Sequence, residues 1–568
     1  MNFTPEQQTI FDFVKSGTGN GIIDAVAGAG KTTTIMECAR HIPPTATKIL
    51  FCAFNKSISK EIAEKLSERG LSNVTVKTIH ALGHQLLTSN NQTGKPLVVD
   101  DGKFDKILKS KEIQDSLKPH YEKIMRINGL QPELADEDKY EGFAIRSLQF
   151  RISRRLTDIN QKFRATLTKR TIQDYRNLIT HFGIFNDVEI KKSEFDKELE
   201  YYFTCSMLLL DAANELSRNT MIMDFTDMIY LPIEWRLNSP LKYDFLFVDE
   251  CQDLSKAQLG IVVKYGHERT RVLAVGDPQQ SIYGFTGADI ESFANVKKVT
   301  SAAELPLTSC FRCPKKVIEL AKLIRTDIVG VKAEDGVVSS ITTDQIFGLA
   351  QPGDLIISRT RGPLLTLVFN FIDKDRKVQI HEDEVKEVIN EIKNIFKQEE
   401  LHIKIASVYG EFQEVKKTVL KRQEWVIRKD AERIIDPIER SLHIESEIEY
   451  LKQKLEFLHR KYEQWKLQCP TLSDIIEKIR QYVSATSDSV RLSTIHRAKG
   501  LENDRVFILD YDELPLQHLE QRPWERIQEL NLKYVAITRA KKELFLVRSP
   551  QVEVLEEKSL FDILPFDE

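Results

Sequence analysis

The chain has 568 residues, 41% hydrophobic and 29% charged, with a formal net charge of −4 at pH 7. That length exceeds what one hydrophobic core supports, so several domains are expected. The slightly acidic balance excludes a globally basic nucleic-acid coat; positive charge for such a partner must be concentrated locally. No apolar run reaches the length of a membrane span, and the opening MNFTPEQQTIF lacks a basic-then-apolar signal pattern. A cytoplasmic, nucleoid-associated location and no membrane partner are therefore expected. The seven cysteines are scattered and odd in number, which argues against a disulfide framework. Cys310 and Cys313 form a CxxC pair with no second pair at zinc spacing, and read as reduced thiols.

A helix start comes first: Thr4 precedes Pro5, with Gln7 three residues after the cap. Gln7 also stands just ahead of a nucleotide loop, which places a hydrogen bond to an adenine edge beside the capping reading. The loop is AVAGAGKTTT, Ala25 to Thr34, between the apolar run Gly21-Ile22-Ile23 and a helical pattern from Ile35 to Ala39. It departs from G-x-x-x-x-G-K-[ST] at its first position, Ala25. Small residues turn backbone N–H groups toward an anion, the helix N-terminus favours negative charge, and Lys31 can reach outer phosphates. The expected nucleotide contacts are Ala25, Val26, Ala27, Gly28, Ala29, Gly30, Lys31, Thr32 and Thr33.

Further apolar runs end in polar residues. Thr47 to Ala53 leads into Phe54-Asn55-Lys56-Ser57, and Val74 to Lys77 into Thr78-Ile79-His80. Phe245 to Val248 precedes Asp249-Glu250, and Val272 to Val275 precedes Gly276-Asp277. Strands alternating with helices predict a parallel α/β sheet with its ligands at the carboxyl ends. Two adjacent carboxylates at a buried strand end are costly without a cation. Asp249 is therefore placed to hold a magnesium shell, and Glu250 to orient or deprotonate a water attacking the outer phosphate.

The ordered set FTPEQQ, AVAGAGKT, FNKS, TIHALG, DFTDMI, VDECQD, GDPQQSIYGFTGAD, CFRCP, STIHRAKGLE and YVAITRA resembles superfamily 1 DNA helicases of the UvrD/Rep/PcrA group. AFNKSISKEIAEKL followed by VKTIHALG looks closest to the F-box DNA helicase branch, without an F-box candidate. The resemblance implies an α/β chain of two RecA-like cores, each interrupted by a helical insertion. The first core would comprise 1–94 and 221–300, with an insertion at 95–220. The second would comprise 301–376 and 483–568, with a short coiled-coil-like insertion at 377–482. The cofactors implied are ATP and Mg2+, and the partners single-stranded DNA and its junctions with duplex.

Carried over motif by motif, the resemblance gives Thr32 and Asp249 to the metal and makes Lys31, Glu250, Gln280, Arg312 and Arg539 catalytic. Gln280 would sense the outer phosphate, and Arg312 and Arg539 would be arginine fingers. Phe311, where the family usually has Tyr, would stack on adenine, and Glu502 would meet the sugar. DNA contacts would come from Phe54, Asn55, Thr78, His80, Tyr283, Phe285, Arg359, Thr494 and His496. The family often has Trp then Arg at Phe285 and Thr286. Travel is implied to be 3′ to 5′.

Within the first insertion, Arg146 to Arg176 carries nine basic residues against Asp158 and Asp174, with Phe150, Phe163 and Tyr175 interleaved. It reads either as a solvated face or as DNA-backbone contact, the latter through Arg151, Arg154 and Arg155. In the second insertion, Ile444, Ile448, Leu451, Leu455, Leu458, Tyr462 and Trp465 follow heptad spacing. This is a helical hairpin on the motor or, over 436–468, a protein-docking arm. The acidic-apolar tail through Leu560, Phe561 and Phe566 is expected to dock on the second core or to bind a partner. The function implied is an ATP-driven DNA helicase or translocase in repair, recombination or replication. The alternatives are a protein-stripping translocase and a motor subunit of a nuclease-coupled or anti-phage assembly.

Overall fold

The computed structural model describes residues 3–16, 18–71, 73–134, 139–185, 192–284, 291–397, 400–402, 404–405, 411–431, 437–483, 486, 488–517 and 521–548. The chain forms two compact units. The first contains the described residues up to Phe311, together with Ile324–Val331 and Leu516–Asn531. The second contains Arg312–Leu323, Lys332–Pro515 and the described residues from Leu532.

The first unit is built on strands β1 (Gly21–Ala25), β2 (Ile49–Ala53) and β3 (Val74–Thr78). A small ladder joins β4 (Val98–Val99) to β5 (Ile222–Met223). Then come β6 (Phe245–Val248), β7 (Arg271–Gly276), β8 (Ala303–Leu307) and the short pair β9 (Ser309–Cys310) and β10 (Val329–Gly330). Six strands form one parallel sheet in the order β3-β2-β6-β7-β1-β8. The runs ILFCA and FLFV are buried along their whole length, as strands covered on both faces must be. Register aligns the carboxyl ends: Cys52 lies opposite Val248, Ala53 opposite Thr78, and Asp24 opposite Gly276. Because β8 pairs with β1, the first core extends past the expected boundary at 300.

Four helices flank this part of the sheet: α1 (Pro5–Ser16), α2 (Lys31–Cys38), α3 (Lys56–Glu68) and α4 (Ile79–Ser89). The segment assigned to the first insertion contains α5 (Lys103–Lys109), α6 (Lys111–Ile127), α7 (Lys139–Thr166), α8 (Ile172–Phe182) and α9 (Lys192–Thr220). Its core gathers Leu117, Ile124, Ile152, Leu156, Tyr175 and Tyr202. Where it meets α10 (Asp227–Glu234), four charged groups are sealed from solvent. Lys103 Nζ lies 2.6 Å from Asp227 Oδ2, and Arg164 Nη1 lies 2.7 Å from both Asp224 Oδ1 and Asp227 Oδ1. Trp524, from a segment expected in the second core, donates from Nε1 to the His181 carbonyl at 2.8 Å and stacks on the His181 ring.

The second unit holds β11 (Val337–Thr342), β12 (Leu355–Ser358), β13 (Val378–Gln379), β14 (Val490–Thr494), β15 (Asn503–Ile508) and β16 (Ala540–Arg548). They form a parallel sheet in the order β11-β16-β15-β12-β14-β13. Since β13 belongs to the sheet, the second insertion begins after Gln379. Its helices are Glu382–Ile395, Phe412–Asp430, Pro437–Trp465 and Leu472–Tyr482. The heptad residues Leu451, Leu455, Leu458, Tyr462 and Trp465 are buried in one cluster with Phe369, Val388, Phe412, Val419 and Ile475. From Leu451 to Trp465 the seam is therefore taken up by intramolecular packing, while Ile444 and Ile448 are half-buried. The tail at 560–566 lies outside the described residues. All seven cysteines are buried and none forms a disulfide. Among the described residues no helix is long and apolar enough to cross a membrane.

Candidate functional site

The carboxyl edge of the first sheet carries the phosphate loop. Gly28 (φ 70°) and Gly30 (φ 75°, ψ 35°) occupy the left-handed region, which turns the chain between β1 and α2. A Cβ at Gly30 would meet nothing within 4 Å, so backbone conformation rather than crowding selects glycine there. No side chain caps α2 at Gly30. The first N–H groups of α2, from Lys31 to Thr33, have no intrahelical acceptor and carry the positive end of the helix dipole. This is the chemistry of a phosphate cradle.

Two strands away, Asp249 and Glu250 directly follow β6. Lys31 Nζ lies 3.9 Å from Glu250 Oε1, so the loop and the acidic pair share one site. Glu250 itself is left-handed (φ 49°, ψ 43°), a conformation that costs a non-glycine residue about 1–3 kcal/mol and is held here by its surroundings. Its N–H donates to Asp249 Oδ1 at 3.0 Å. Burial, together with the Glu250 charge, pushes the Asp249 carboxyl up to about 7, while Lys31 pulls it down. A divalent cation would relieve that penalty. No cluster of three or more His, Cys, Asp or Glu able to hold a metal occurs among the described residues. The residues expected to hold a metal, Asp249 and Thr32, would offer it one carboxylate and one hydroxyl. That fits magnesium, which keeps several waters and takes further oxygens from substrate phosphates.

Sequence reasoning missed the residue that ties this site together. Gln252 Nε2 donates to Glu250 Oε2 at 2.5 Å and to Asp253 Oδ2 at 3.2 Å, while its Oε1 accepts the Asp277 N–H at 3.1 Å. Asp277 Oδ2 in turn accepts from Gln280 Nε2 at 2.6 Å. The water-orienting candidate Glu250 and the phosphate-sensing candidate Gln280 are therefore joined through Gln252 and Asp277. Arg325 closes the far side of Asp277. It is buried, 3.3 Å from Asp277 Oδ1 and 2.9 Å from Asp24 Oδ1. Nothing in the sequence near Arg325 signals this role, because it reaches the first sheet only through the β9–β10 excursion.

Gln7 is buried and already engaged: its Oε1 accepts the Thr4 N–H at 3.0 Å and its Nε2 donates to Thr34 Oγ1 at 2.9 Å. The capping reading is thus seen directly. A carboxamide offers two N–H groups and two lone pairs. One of each remains for a base edge. Phe311 donates its N–H to the Gly28 carbonyl at 3.0 Å and is 40% exposed, which sets an open aromatic ring against the loop.

Along the same edge, Phe54 after β2 stacks on Tyr283, with ring centroids 6.0 Å apart and planes at 18°. His80 stacks on Phe225 at 3.9 Å and 24°, and Phe225 is 52% exposed. Phe225 is a second residue sequence reasoning passed over. It sits within the DFTDMI element, whose Asp224 and Asp227 are the buried anions described above. Burial pulls the His80 imidazole down to about 4, so it is neutral at physiological pH. Asn55 and Thr78 cap α3 and α4, accepting from the Ile58 and Ala81 N–H groups. Phe285 lies outside the described residues.

The basic block of the first insertion divides. Arg164 is buried against Asp224 and Asp227; Arg170 pairs with Asp211 and Glu234; Arg176 pairs with Asp196; Lys162 pairs with Asp158. Arg155, expected to contact DNA, is 8% exposed, with its guanidinium 4.7 Å from the Phe185 ring centroid and 3.4 Å from Tyr202 Oη. It belongs to the insertion's core, so that expectation is corrected. Arg151 and Arg154 are exposed.

In the second unit, Arg312 Nε lies 2.7 Å from Glu502 Oε2, and Nη1 donates to the Thr538 carbonyl at 3.1 Å. Burial would raise the Glu502 carboxyl, but Arg312, Lys541 and Arg539 together hold it below the usual range. Arg539 is enclosed, donating to the carbonyls of Val535 (2.8 Å) and Leu501 (3.1 Å) and to Thr538 Oγ1 (3.2 Å). These expected site residues are thus assembled around one point. Arg359 follows β12, Thr494 ends the adjacent β14 and His496 follows it, and Ser358 lies opposite Thr494. Burial, with Arg359 and Lys499 nearby, lowers His496 to about 4.

Known proteins are similar to this chain over most of its length. Residues 489–547 match the UvrD-like helicase C-terminal domain. F-box DNA helicase protein 1 of Schizosaccharomyces pombe (strain 972 / ATCC 24843) is 24% identical over 554 residues, 92% of this chain and 55% of that protein. F-box DNA helicase 1 of Gallus gallus is 25% identical over 583 residues, 97% of this chain and 49% of that protein. The ATP-dependent DNA helicase PcrA of Leuconostoc citreum is 24% identical over 330 residues, 55% of this chain and 38% of that protein. The chain spans about half the length of the two F-box relatives. Residues 4–301, more than half of the chain, match the UvrD/REP helicase N-terminal domain, and the chain belongs to the UvrD/REP helicase family.

Proposed function

We propose that this chain is an ATP-driven motor that moves along single-stranded DNA and separates duplex, travelling 3′ to 5′. The observation that carries the reading is the single edge of the first sheet, where the phosphate loop, the Asp249–Glu250 pair and two stacked aromatic pairs follow neighbouring strands. When bound, ATP with magnesium supplies the phosphoanhydride whose hydrolysis drives movement. Lys31 and the N–H groups of α2 would bind phosphate oxygens, and Thr32 with Asp249 would hold the metal. Glu250, fixed by Gln252, orients the attacking water and accepts its proton. Arg312 and Arg539, held with Glu502 in the second unit, are the arginine-finger candidates, a role worth roughly 10³–10⁵ in rate in related motors. Phe54, Tyr283, His80 and Phe225 offer ring faces to unstacked bases, a contact that tolerates any sequence. Arg359, Thr494 and His496 supply the strand contacts of the second unit.

Strand displacement by the full chain on duplexes with a 3′ or a 5′ single-stranded tail tests the proposal. Unwinding of the 3′-tailed duplex alone is expected. Unwinding of only the 5′-tailed duplex would reverse the polarity. ATP-driven movement without unwinding of either would identify a translocase.

A further inference from the structure

The first insertion carries a feature that the ATP site and strand track leave unused. In α7, successive side chains are about 100° apart, so Phe143, Arg146, Ser147, Phe150, Arg151 and Arg154 lie on one side of the helix. Burial agrees with that geometry. Ile145, Leu148, Ile152, Leu156 and Ile159 point into the insertion's core, while all six residues of the other side are exposed. Phe143 is 63% exposed and Phe150 is 69% exposed. A phenyl ring left in water forfeits about 1.5–3 kcal/mol of burial, and here two do so on one face.

The charge on this face has one sign. From Gly142 to Thr157 the chain contains no carboxylate. Among the described residues, Arg146, Arg151 and Arg154 enter no ion pair within 4 Å, although Arg151 acts at longer range on the buried Glu198 carboxyl and Lys162, Arg164, Arg170 and Arg176 of the same basic block are all paired. Three guanidiniums surrounding two bare rings match a polyanion that also presents flat apolar faces. A single nucleic-acid strand is such a ligand: its phosphates take the arginines, and its unpaired bases can stack on phenylalanine. A duplex would offer phosphates but keep its base faces stacked, leaving the rings without a partner. An acidic peptide would answer the charge alone.

We propose that the outer face of α7, centred on Phe143, Arg146, Phe150 and Arg154, is a second binding site for single-stranded DNA, separate from the strand track of the sheet edge. The inference rests on the reading of the chain as a DNA motor only for its choice of DNA. The site itself follows from the face.

The test uses the full chain and oligothymidylate as the probe. Phe150→Trp places a reporter on the face, and its fluorescence should be quenched as oligothymidylate is added. Phe143→Ala/Phe150→Ala should weaken binding by about 5–150-fold, the range for loss of a base stack. Arg146→Ala/Arg154→Ala should make the dependence of log affinity on log salt shallower by about 0.7 for each phosphate no longer bound. All these positions are on the solvent side, and thermal melting of each variant checks that folding is unchanged. Fluorescence of the introduced tryptophan that stays unquenched, or affinity and salt slope equal to the parent chain, would overturn the proposal. So would equal competition by polyglutamate, since that would mark a peptide site. Absence of DNA-stimulated hydrolysis in the parent chain would instead refute the motor reading, and the quenching experiment would still decide the face.

Discussion

Replacing Arg164 with methionine should destabilise the first unit by about 3–5 kcal/mol, the usual consequence of removing one partner from a buried ion cluster. Lys103, Arg164, Asp224 and Asp227 carry two positive and two negative charges in a volume closed to solvent. Arg164 serves both carboxylates, so its loss leaves a net charge of −1 that water cannot reach. Methionine keeps much of the side-chain volume, which separates the electrostatic effect from a cavity. Urea denaturation followed by tryptophan fluorescence is a suitable assay. In a Trp425→Phe/Trp465→Phe background, Trp235 and Trp524 report on the first unit alone. The loss should shrink as pH falls toward 5. In the variant, a carboxyl with a raised folded pKa takes up a proton, and the penalty present above that pKa disappears below it. Adding Asp224→Asn should recover part of the loss by restoring neutrality. A destabilisation under about 1 kcal/mol, or no recovery in the double variant, would show that the cluster is solvated and does not anchor the insertion.

Tyr283→Ala should weaken single-stranded DNA binding by about 1–3 kcal/mol and leave nucleotide affinity unchanged, as read by fluorescence anisotropy and nucleotide titration. Equal loss of both would mean the ring supports the fold of the site rather than a base. Leu455→Asp should unfold the second unit, because it puts an unpaired carboxylate into the cluster around Phe412 and Val419. A folded variant that only loses a co-purifying protein would restore the docking-arm reading. His80 and His496 are held at about 4 against an ordinary 6.5. Below pH 6.5 the unfolded chain therefore binds protons first, and stability should fall between pH 6.5 and 4. Melting temperatures of His80→Asn should show a flatter decline over that interval, and an unchanged slope would contradict the burial.

The parallel sheets were legible because their strands read as short apolar runs and each ended in a recognisable polar motif. Lys31, Asp249 and Glu250 were legible for the same reason: their chemistry is local to a strand end. The partners that fix them were not. Gln252 stands within a motif already noticed, yet its bonds to Glu250 and Asp277 depend on the spacing between β6 and β7. Arg325 depends on a return of the chain to the first sheet after β8 had already crossed the expected boundary. Phe225 and His80 meet only when the insertion has folded between α4 and α10. Charge counting misjudged Arg155 because a basic run on a helix does not say which members face inward. Burial against Phe185 and Tyr202 decides that, and it also leaves Arg151 and Arg154 outside. The heptad residues were found from spacing, but spacing alone does not tell an internal seam from a free one.

The measurement that bears most directly on the motor reading is steady-state ATP hydrolysis by the parent chain, Lys31→Ala and Glu250→Gln, each with and without single-stranded DNA. The phosphate loop and the acidic pair share one site through the 3.9 Å contact of Lys31 with Glu250. The parent chain should hydrolyse ATP with stimulation by DNA. Lys31→Ala should lose activity through phosphate binding, and Glu250→Gln should lose it while still binding nucleotide. Retention of DNA-stimulated hydrolysis by both variants would contradict the assignment of this edge as the ATP site.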